Sequence, residues 1–191
     1  MIFKIVSRRA VVFAFCSFLL LCNVAAPTTL AHMSLAKLTQ ASRLIIRARC
    51  VDNFAAWDAG EIWTFTSFEP SEIWKGSSPQ RVSVRLLGGR VGNLTSNVSG
   101  VPHFHAGEEV VLFLAPTARG DFSVVSWVQG TFRIHRDPRS GAETVTQDSA
   151  SFDTFDRSTK KFTPSGIRDV PLDELRAQVA AASGLEPGAQ K

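Results

Sequence analysis

Apolar and polar residues alternate with a period of two along several short segments of this chain, the pattern of half-buried β-strands. In the first segment, Leu44, Ile46, Ala48 and Cys50 fall on one face, and two arginines fall on the other. Residues 110–115 are continuously apolar, so we expect a central strand covered on both faces. The predicted strands span residues 44–51, 61–68, 81–86, 110–115, 122–127 and 131–135, with a weak edge strand at 143–146.

Helical periodicity is confined to the two ends of this strand-rich region. Ser34 can cap a short helix that ends near Ala41. A final amphipathic helix begins at Pro171 and ends at Gly184. Several short strands with only terminal helices predict a mainly β fold. We favour a small antiparallel β-barrel of OB-like type, because closure removes exposed strand edges, and a β-sandwich is the alternative.

Turn-forming residues separate the predicted strands. Residues 52–60 are interpreted as a polar connection, and the Gly/Asn/Ser-rich residues 88–100 as a long loop. Pro70 is expected to bend its strand or to lie on an exposed edge, since proline donates no ladder hydrogen bond. Residues 148–170 are polar with isolated phenylalanines, which is typical of an extended or partly disordered segment.

The first residues of the chain have the layout of a signal peptide. Lys4, Arg8 and Arg9 precede an unbroken apolar run at 10–21, which is shorter than the about 20 residues that span a bilayer. We predict cleavage after Ala31, secretion to the periplasm or the medium, and no membrane span in the mature protein. The predicted organisation is a signal peptide at 1–31, a β-barrel domain at 32–147, an extended or partly disordered segment at 148–170, a helix at 171–184 and a loose tail at 185–191.

Charge and cysteine content change when the predicted signal peptide is removed. The net charge of +4 includes its three cations and no acid lies there, so the remaining domain is nearly neutral. We therefore expect a protein or small-molecule partner and no nucleic acid.

Cys16 and Cys22 leave with the leader and Cys50 remains, so no intramolecular disulfide can form and the core alone must hold the domain.

Several segments resemble a group of uncharacterised secreted bacterial proteins. The resemblance covers roughly residues 35–135 and implies a secreted domain, but it supplies no activity. The matching segments are residues 35–51, the TFT at 64–66 with IWKG at 73–76, the LGG at 87–89 with PHF at 102–104, residues 107–114, and QGTF at 129–132.

A looser similarity is to the netrin-like modules of metalloproteinase inhibitors, which are OB-fold barrels. In those modules a strand like residues 44–51 is followed by a long strand ending in a Lys-Gly turn like Lys75-Gly76. The inhibitors also carry a disulfide-tied N-terminal cysteine that ligates the zinc of the target. Here the only cysteine outside the leader is Cys50, inside a strand, so the similarity supports the barrel and not inhibition.

His103 and His105 form the best candidate metal site. In an extended segment their imidazoles project to the same side, with Glu108 or Glu109 nearby, a donor set that suits copper or zinc. No third or fourth ligand is evident from the spacing, and two histidines in a polar loop are more often solvated. We therefore expect no cofactor, with copper or zinc binding as the alternative.

Four other residues are candidates for a ligand or partner surface. Trp57 and Trp74 lie near predicted turns, and Arg90 and Phe104 lie in the loop region that spans residues 90–105. Cys50 is expected to be an inert core thiol, because its side chain falls on the apolar face. The chain contains no G-x-S-x-G, H-E-x-x-H, P-loop or G-x-G-x-x-G motif, so no catalytic residues are predicted.

These observations lead to three hypotheses for function. The first is a secreted, non-enzymatic binding or interaction module of unknown ligand. The second is a periplasmic metal-binding protein that uses His103 and His105. The third is a peptidase inhibitor of netrin-like type.

Overall fold

A computed structural model describes residues 31–156, 159–164 and 166–184. Residues 1–30 of the predicted signal peptide and the predicted tail at 185–191 lie outside the described residues. The described chain is mainly β, as predicted, and no described helix is both long enough and apolar enough to cross a membrane.

The two described α-helices are α1 (Leu35–Ala41) and α2 (Leu172–Ser183). The described strands are β1 (Leu44–Asp58), β2 (Glu61–Lys75), β3 (Val82–Leu87), β4 (Gly89–Val91), β5 (Leu94–Ser96), β6 (Glu109–Pro116), β7 (Phe122–Val124), β8 (Thr131–Arg136), β9 (Glu143–Gln147), β10 (Asp153–Asp156), β11 (Lys161–Pro164) and β12 (Val170–Pro171).

Five strands pair with one another in a ring. The order is β1-β2-β3-β7-β6, and β6 pairs again with β1. The β3–β7 contact is parallel, at Val84 and Phe122, and the other neighbours in the ring are antiparallel. Strands β8, β9 and β12 continue the sheet outward from β6. The ring leaves β1 with a paired neighbour on both sides, so its backbone groups near Ile46 meet partners in β2 and β6.

The alternation of β1 and β6 separates two apolar cores. Even-numbered residues such as Ile46 and Leu112 pack inside the ring, together with Cys50, whose side chain is fully buried. Odd-numbered residues such as Ile45 and Phe113 face outward, where α1, α2, β8 and β9 cover them. The prediction that residues 110–115 are covered on both faces is therefore confirmed.

Both terminal helices form where the sequence predicts them. The side chain of Ser34 accepts a hydrogen bond from the amide of Lys37 and so caps α1. Leu175 and Val179 of α2 are buried in the outer core. Gly184 ends α2 in the left-handed conformation, with φ of 67°, a conformation that glycine adopts without steric cost.

The interpretation of residues 52–60 as a connection is wrong. This segment completes β1, which forms one long hairpin with β2 around Ala59 and Gly60. Both turn residues have positive φ, 51° and 86°, the geometry of tight turns that suit the twist of paired strands. The polar residues reflect the exposure of the hairpin's distal half, not an absence of pairing.

Two other stretches differ from their sequence interpretation. Residues 88–100 contain the hairpin of β4 and β5 and are not wholly a loop. The strand expected at 122–127 stops at Val124, because Ser126 and Trp127 adopt positive φ and a 3-10 turn follows. Within the segment at 148–170, β10 pairs with β11.

Candidate functional site

A pocket of about 290 Å³ opens at one end of the ring. Four parts of the chain surround it: the distal half of the β1–β2 hairpin, the end of β3, the start of β4, and the segment 102–104 that leads toward β6. Its walls are therefore built by residues far apart in sequence. The lining residues are Asn53, Phe54, Ala55, Thr64, Thr66, Leu86, Gly89, Arg90, Pro102, His103 and Phe104.

A β-bulge in β1 sets which residues of the hairpin face the pocket. Cys50 pairs with Phe68 and Asp52 with Ser67, so Val51 is an extra residue on β1. The extra residue shifts the inward-facing positions of β1 from even to odd numbers. Asn53 therefore lies opposite Thr66, which is 1 % exposed. Beyond the bulge, Asn53 and Ala55 lie opposite Thr66 and Thr64 on the wall of the pocket.

Glycine at position 89 allows β4 to approach the hairpin closely. A Cβ atom at Gly89 would lie 2.4 Å from Thr64 Oγ1 and 2.9 Å from Ala55 Cβ, and the residue has a φ of +130°. Thr64 Oγ1 donates a hydrogen bond of 2.8 Å to the carbonyl of Gly88. The two glycines thus have a structural role, fixing β4 against the pocket wall.

The segment 102–104 is held in place from both sides. Asn53 Nδ2 donates a 2.8 Å hydrogen bond to the carbonyl of Phe104. The Phe104 ring packs edge-on against Phe68 at a centroid distance of 5.0 Å, and the guanidinium carbon of Arg133 lies 4.8 Å from its centroid. Arg133 also donates a 2.8 Å hydrogen bond to the carbonyl of His103. These contacts preform this wall of the pocket.

Arg133 is itself positioned by carboxylates on two further segments. Its guanidinium contacts Glu108 at 2.7 Å and Asp148 at 2.8 Å. Burial alone would lower the pKa of Arg133, but the hydrogen bonds and charges of Asp148 and Glu108 outweigh burial and raise it. The arginine therefore remains a permanent cation behind Phe104.

An aromatic and charged cluster supports the hairpin from its outer face. The guanidinium carbon of Arg85 lies 4.6 Å from the centroid of Trp63, and Arg85 Nε lies 3.1 Å from Asp121. Arg119, on the turn between β6 and β7, bonds Asp58 near the hairpin tip at 2.6 Å. The distal half of the hairpin is thereby tied to a neighbouring turn, which fixes its orientation over the pocket.

The ionisable side chains that line the pocket are both basic groups. Arg90 and His103 are exposed at its rim, and no Asp or Glu occurs among the described lining residues. At the buried end, Thr66 Oγ1 has no hydrogen-bond partner within the described part of the chain. The pocket thus combines a basic rim with walls that carry both polar and apolar side chains.

Three of the residues predicted from the sequence meet at this pocket, and three do not. Arg90, His103 and Phe104 line it. Trp57, 54 % exposed near the hairpin tip, is not among the lining residues. Trp74 is only 7 % exposed and lies in the outer core, with its Nε1 donating to Glu72 at 3.0 Å.

The remaining predicted residue, His105, points to Glu108 and not to His103. Its Nδ1 lies 3.1 Å from Glu108 Oε1 on an exposed surface. No cluster of three or more His, Cys, Asp or Glu side chains suited to a metal ion occurs in the described ranges 31–156, 159–164 and 166–184. Cys50 lies in the inner core, where burial raises the pKa of its thiol.

Asn53, Thr64 and Thr66 are site residues that the sequence analysis missed. The position of Asn53 depends on the extra residue at Val51, which a strict period of two does not anticipate, whereas Thr64 and Thr66 follow the regular alternation of β2. The local signal was the presence of Thr64 and Thr66 at alternate positions between Ile62 and Phe68, where apolar residues would continue the inner face. Comparison with known proteins adds no assignment: no family model matches the chain, and no curated protein matches its sequence.

Proposed function

We propose that this protein is a secreted, non-enzymatic binding module whose ring of five strands is a small OB-like β-barrel. The ring order and its five strands suit the partly open five-stranded barrel of OB-folds. The basic and apolar pattern at the start of the chain supports secretion to the periplasm or the medium. The similarity to netrin-like modules points to the same barrel.

The pocket at the end of the ring is the observation that carries this proposal. It is concave, as small-molecule sites usually are, and its walls are held by hydrogen bonds and ring contacts. Catalysis needs a nucleophile or a base held by a partner side chain. The described lining residues supply hydrogen-bonding and charge-pairing groups without such a pair, and this composition favours binding over turnover.

A ligand screen with mapping of the binding site tests the proposal. Purified full-length protein is screened against a fragment library by ligand-observed NMR, and hits are mapped by amide chemical shifts. We expect hits whose shifts concentrate on the lining residues at 53–55, 64–66 and 102–104. An absence of hits, or shifts centred elsewhere on the molecule, contradicts the proposal.

Two histidines of the same segment provide a matched pair of variants. His103 lines the pocket and His105 does not, yet both side chains are exposed. His103→Ala should weaken binding of the hits, whereas His105→Ala should leave their affinity unchanged. Equal effects of the two substitutions would indicate that the hits bind the exposed segment and not the pocket.

A further inference from the structure

The distal half of β1 has one paired edge and one free edge. Strand β6 pairs with the proximal half of β1, from Leu44 to Arg49. From Asp52 to Asp58, β1 pairs with β2 alone among the described strands. The edge of a strand presents unpaired backbone N–H and C=O groups, to which a further extended chain can add.

The hydrogen bonds of β2 show which residues of β1 face this free edge. The amide of Gly88, which follows β3, donates a 2.8 Å hydrogen bond to the carbonyl of Ile62, so the backbone groups of Ile62 point away from β1. Residues directly opposite in an antiparallel pair either both face each other or both face away. Trp57 lies opposite Ile62, and its backbone groups therefore point away from β2. Alternation gives Asn53 and Ala55 the same direction, so each of these three residues presents an N–H and a C=O at the free edge.

The pocket runs along this free edge. Three consecutive residues of β1, namely Asn53, Phe54 and Ala55, line it, although consecutive side chains of a strand point to opposite faces. A space that touches all three lies beside the edge of the strand. The opposite wall includes Arg90 of β4 and His103. The edge therefore opens on a groove with a second wall.

The free edge lacks the devices that usually protect a strand from pairing. Such edges are commonly blocked by lysine, by proline or by a bulge. The bulge at Val51 lies before the free stretch, and residues 52–58 contain neither lysine nor proline. They carry instead two exposed aromatic side chains, Phe54 and Trp57. An added strand would meet apolar surface as well as backbone groups.

The two faces of the edge differ in the side chains that they favour on an added strand. Arg90 and His103 line the groove, and no Asp or Glu occurs among its described lining residues. Arg90 Nε donates to the carbonyl of Gly92 at 3.2 Å, and no described carboxylate pairs with this arginine. On the other face, Phe54 stacks on Phe65 at a centroid distance of 5.3 Å. Acidic residues toward the groove and apolar residues toward Phe54 complement these surfaces.

We propose that the distal half of β1 binds an extended peptide by strand addition, antiparallel to β1. Alternate acidic side chains of the peptide face Arg90 and His103, and the apolar side chains between them pack beside Phe54. The antiparallel direction continues that of β6, which pairs on the same edge as far as Arg49. The groove of 290 Å³ holds about ten waters at ~30 Å³ each, which suits side chains and not a folded element. The proposal rests on the proposed function, because it names the partner of the same pocket.

A matched pair of N-methylated peptides tests the backbone hydrogen bonds. Acetyl-Val-Glu-Val-Glu-Val-amide carries the pattern. Its Glu residues lie opposite residues of β1 that face the free edge, so their N–H groups face β1 and those of the Val residues face away. Isothermal titration calorimetry on the full-length protein compares N-methylation of both Glu residues with N-methylation of the two Val residues that follow them. We expect the first change to weaken binding more than about tenfold and the second less than about threefold.

The charge of the peptide is tested separately. Acetyl-Val-Gln-Val-Gln-Val-amide should bind about fivefold more weakly than the Glu peptide, because an exposed ion pair has about that effect. Arg90→Gln should remove this difference. Arg139→Gln, a change of an exposed arginine on the turn between β8 and β9, should leave the difference intact. Equal effects of the two substitutions would mean that the charge preference does not arise at the groove.

Amide hydrogen exchange gives a readout on the protein itself. In the free protein, the amides of Asn53, Ala55 and Trp57 should exchange faster than those of Phe54 and Ala56, which face β2. The Glu peptide should slow exchange in the first set and leave the second set unchanged. Ala55→Pro removes one N–H from the free edge, where proline is tolerated. This variant should keep its Tm and bind the Glu peptide more than about tenfold more weakly.

Three results would overturn the proposal. The first is equal loss of affinity for the two N-methylated peptides, and the second is unchanged exchange at the free edge when the peptide binds. The third is a dimer in sedimentation velocity whose formation slows exchange of the same amides, because a second copy of the chain would then occupy the edge.

The outcomes also distinguish this proposal from the function on which it rests. If library fragments bind in the pocket but neither peptide does, the binding function stands and the partner class is wrong. If neither the peptides nor any library fragment shifts the lining residues, both are wrong.

Discussion

Arg47 on β1 forms two hydrogen bonds with Glu143 on β9, of 2.9 Å and 2.7 Å, across strands that are not neighbours in the sheet. The same guanidinium contacts Glu109 at 3.0 Å and Glu72 at 3.2 Å. One arginine on the outer face of the ring thus joins β1, β2, β6 and β9. This contact ties the ring to the strands that extend from it.

Replacing Arg47 should destabilise the fold far more than replacing its neighbour Arg49. Arg47 is 13 % exposed and meets three carboxylates, whereas Arg49 is 61 % exposed and meets only Glu109 among the described residues. We expect Arg47→Met to lower the free energy of unfolding by about 2 kcal/mol, since the carboxylates lose their partner. Arg49→Met should cost less than about 1 kcal/mol. Urea denaturation followed by circular dichroism measures both, and equal losses would show that the Arg47 contacts add nothing.

The same contacts predict a loss of stability in acid. Hydrogen bonds from Arg47 hold the pKa of Glu143 and of Glu109 below the ordinary value of 4.5. A carboxyl group whose pKa is lowered by folding stabilises the fold above its unfolded-state pKa, and this contribution is lost as the pH falls through the folded-state pKa. We therefore expect the free energy of unfolding to decline below about pH 4.5. The decline should be shallower in Arg47→Met; an identical slope in that variant would contradict the assignment.

Gly89 should tolerate substitution much less well than Gly92 in the same hairpin. A Cβ at Gly89 would collide with Thr64, whereas at Gly92 there is open space, although both have positive φ. Gly89→Ala should cost about 3 kcal/mol from backbone strain and overpacking. Gly92→Ala should cost about 1 kcal/mol, from the left-handed backbone alone. Thermal or urea unfolding compares the two, and a cost at Gly89 no larger than at Gly92 would mean that β4 does not press on the hairpin.

Phe104 should prove to be a core residue as well as a pocket wall. Its ring is 6 % exposed and packs on Phe68, so Phe104→Ala should lower stability by about 3–4 kcal/mol. Phe54→Ala removes a ring of the same size from an exposed stack on Phe65 and should cost about 1 kcal/mol or less. Chemical denaturation of both variants is the measurement. A small loss at Phe104 would place its ring outside the core.

Local alternation was sufficient to predict much of the fold. Ile46 and Cys50 face the inner core as the period of two indicates, and Phe132 on β8 is buried in the outer core while Arg133, on the opposite face of the strand, meets its carboxylates. Such predictions succeed because the alternation reports which side of a strand avoids water, and that preference is local. The cap of α1 at Ser34 was predictable for the same reason.

The candidate site was only partly predictable. The loop at 90–105 contributed Arg90, His103 and Phe104 to the pocket. The sequence places Trp74 near a turn. In the structure, Lys75 pairs with Ile45 and Ile73 pairs with Ile46, so Trp74 is an extra residue on β2 with no partner of its own on β1. That irregularity directs its ring into the outer core. A bulge leaves little trace in composition, so sequence periodicity misplaces the residues beyond it.

By itself, the sequence determined the mainly β class, the inward and outward faces of most strands and the two terminal helices, because these depend on neighbours within a few positions. Only the tertiary structure decided the pairing of β1 with β6 and of β3 with β7, and the approach of β4 to the hairpin. Those contacts join segments far apart in the chain, and their register depends on bulges and on how the two cores fill. Arg90, His103 and the distal half of the β1–β2 hairpin line one pocket only through that long-range packing.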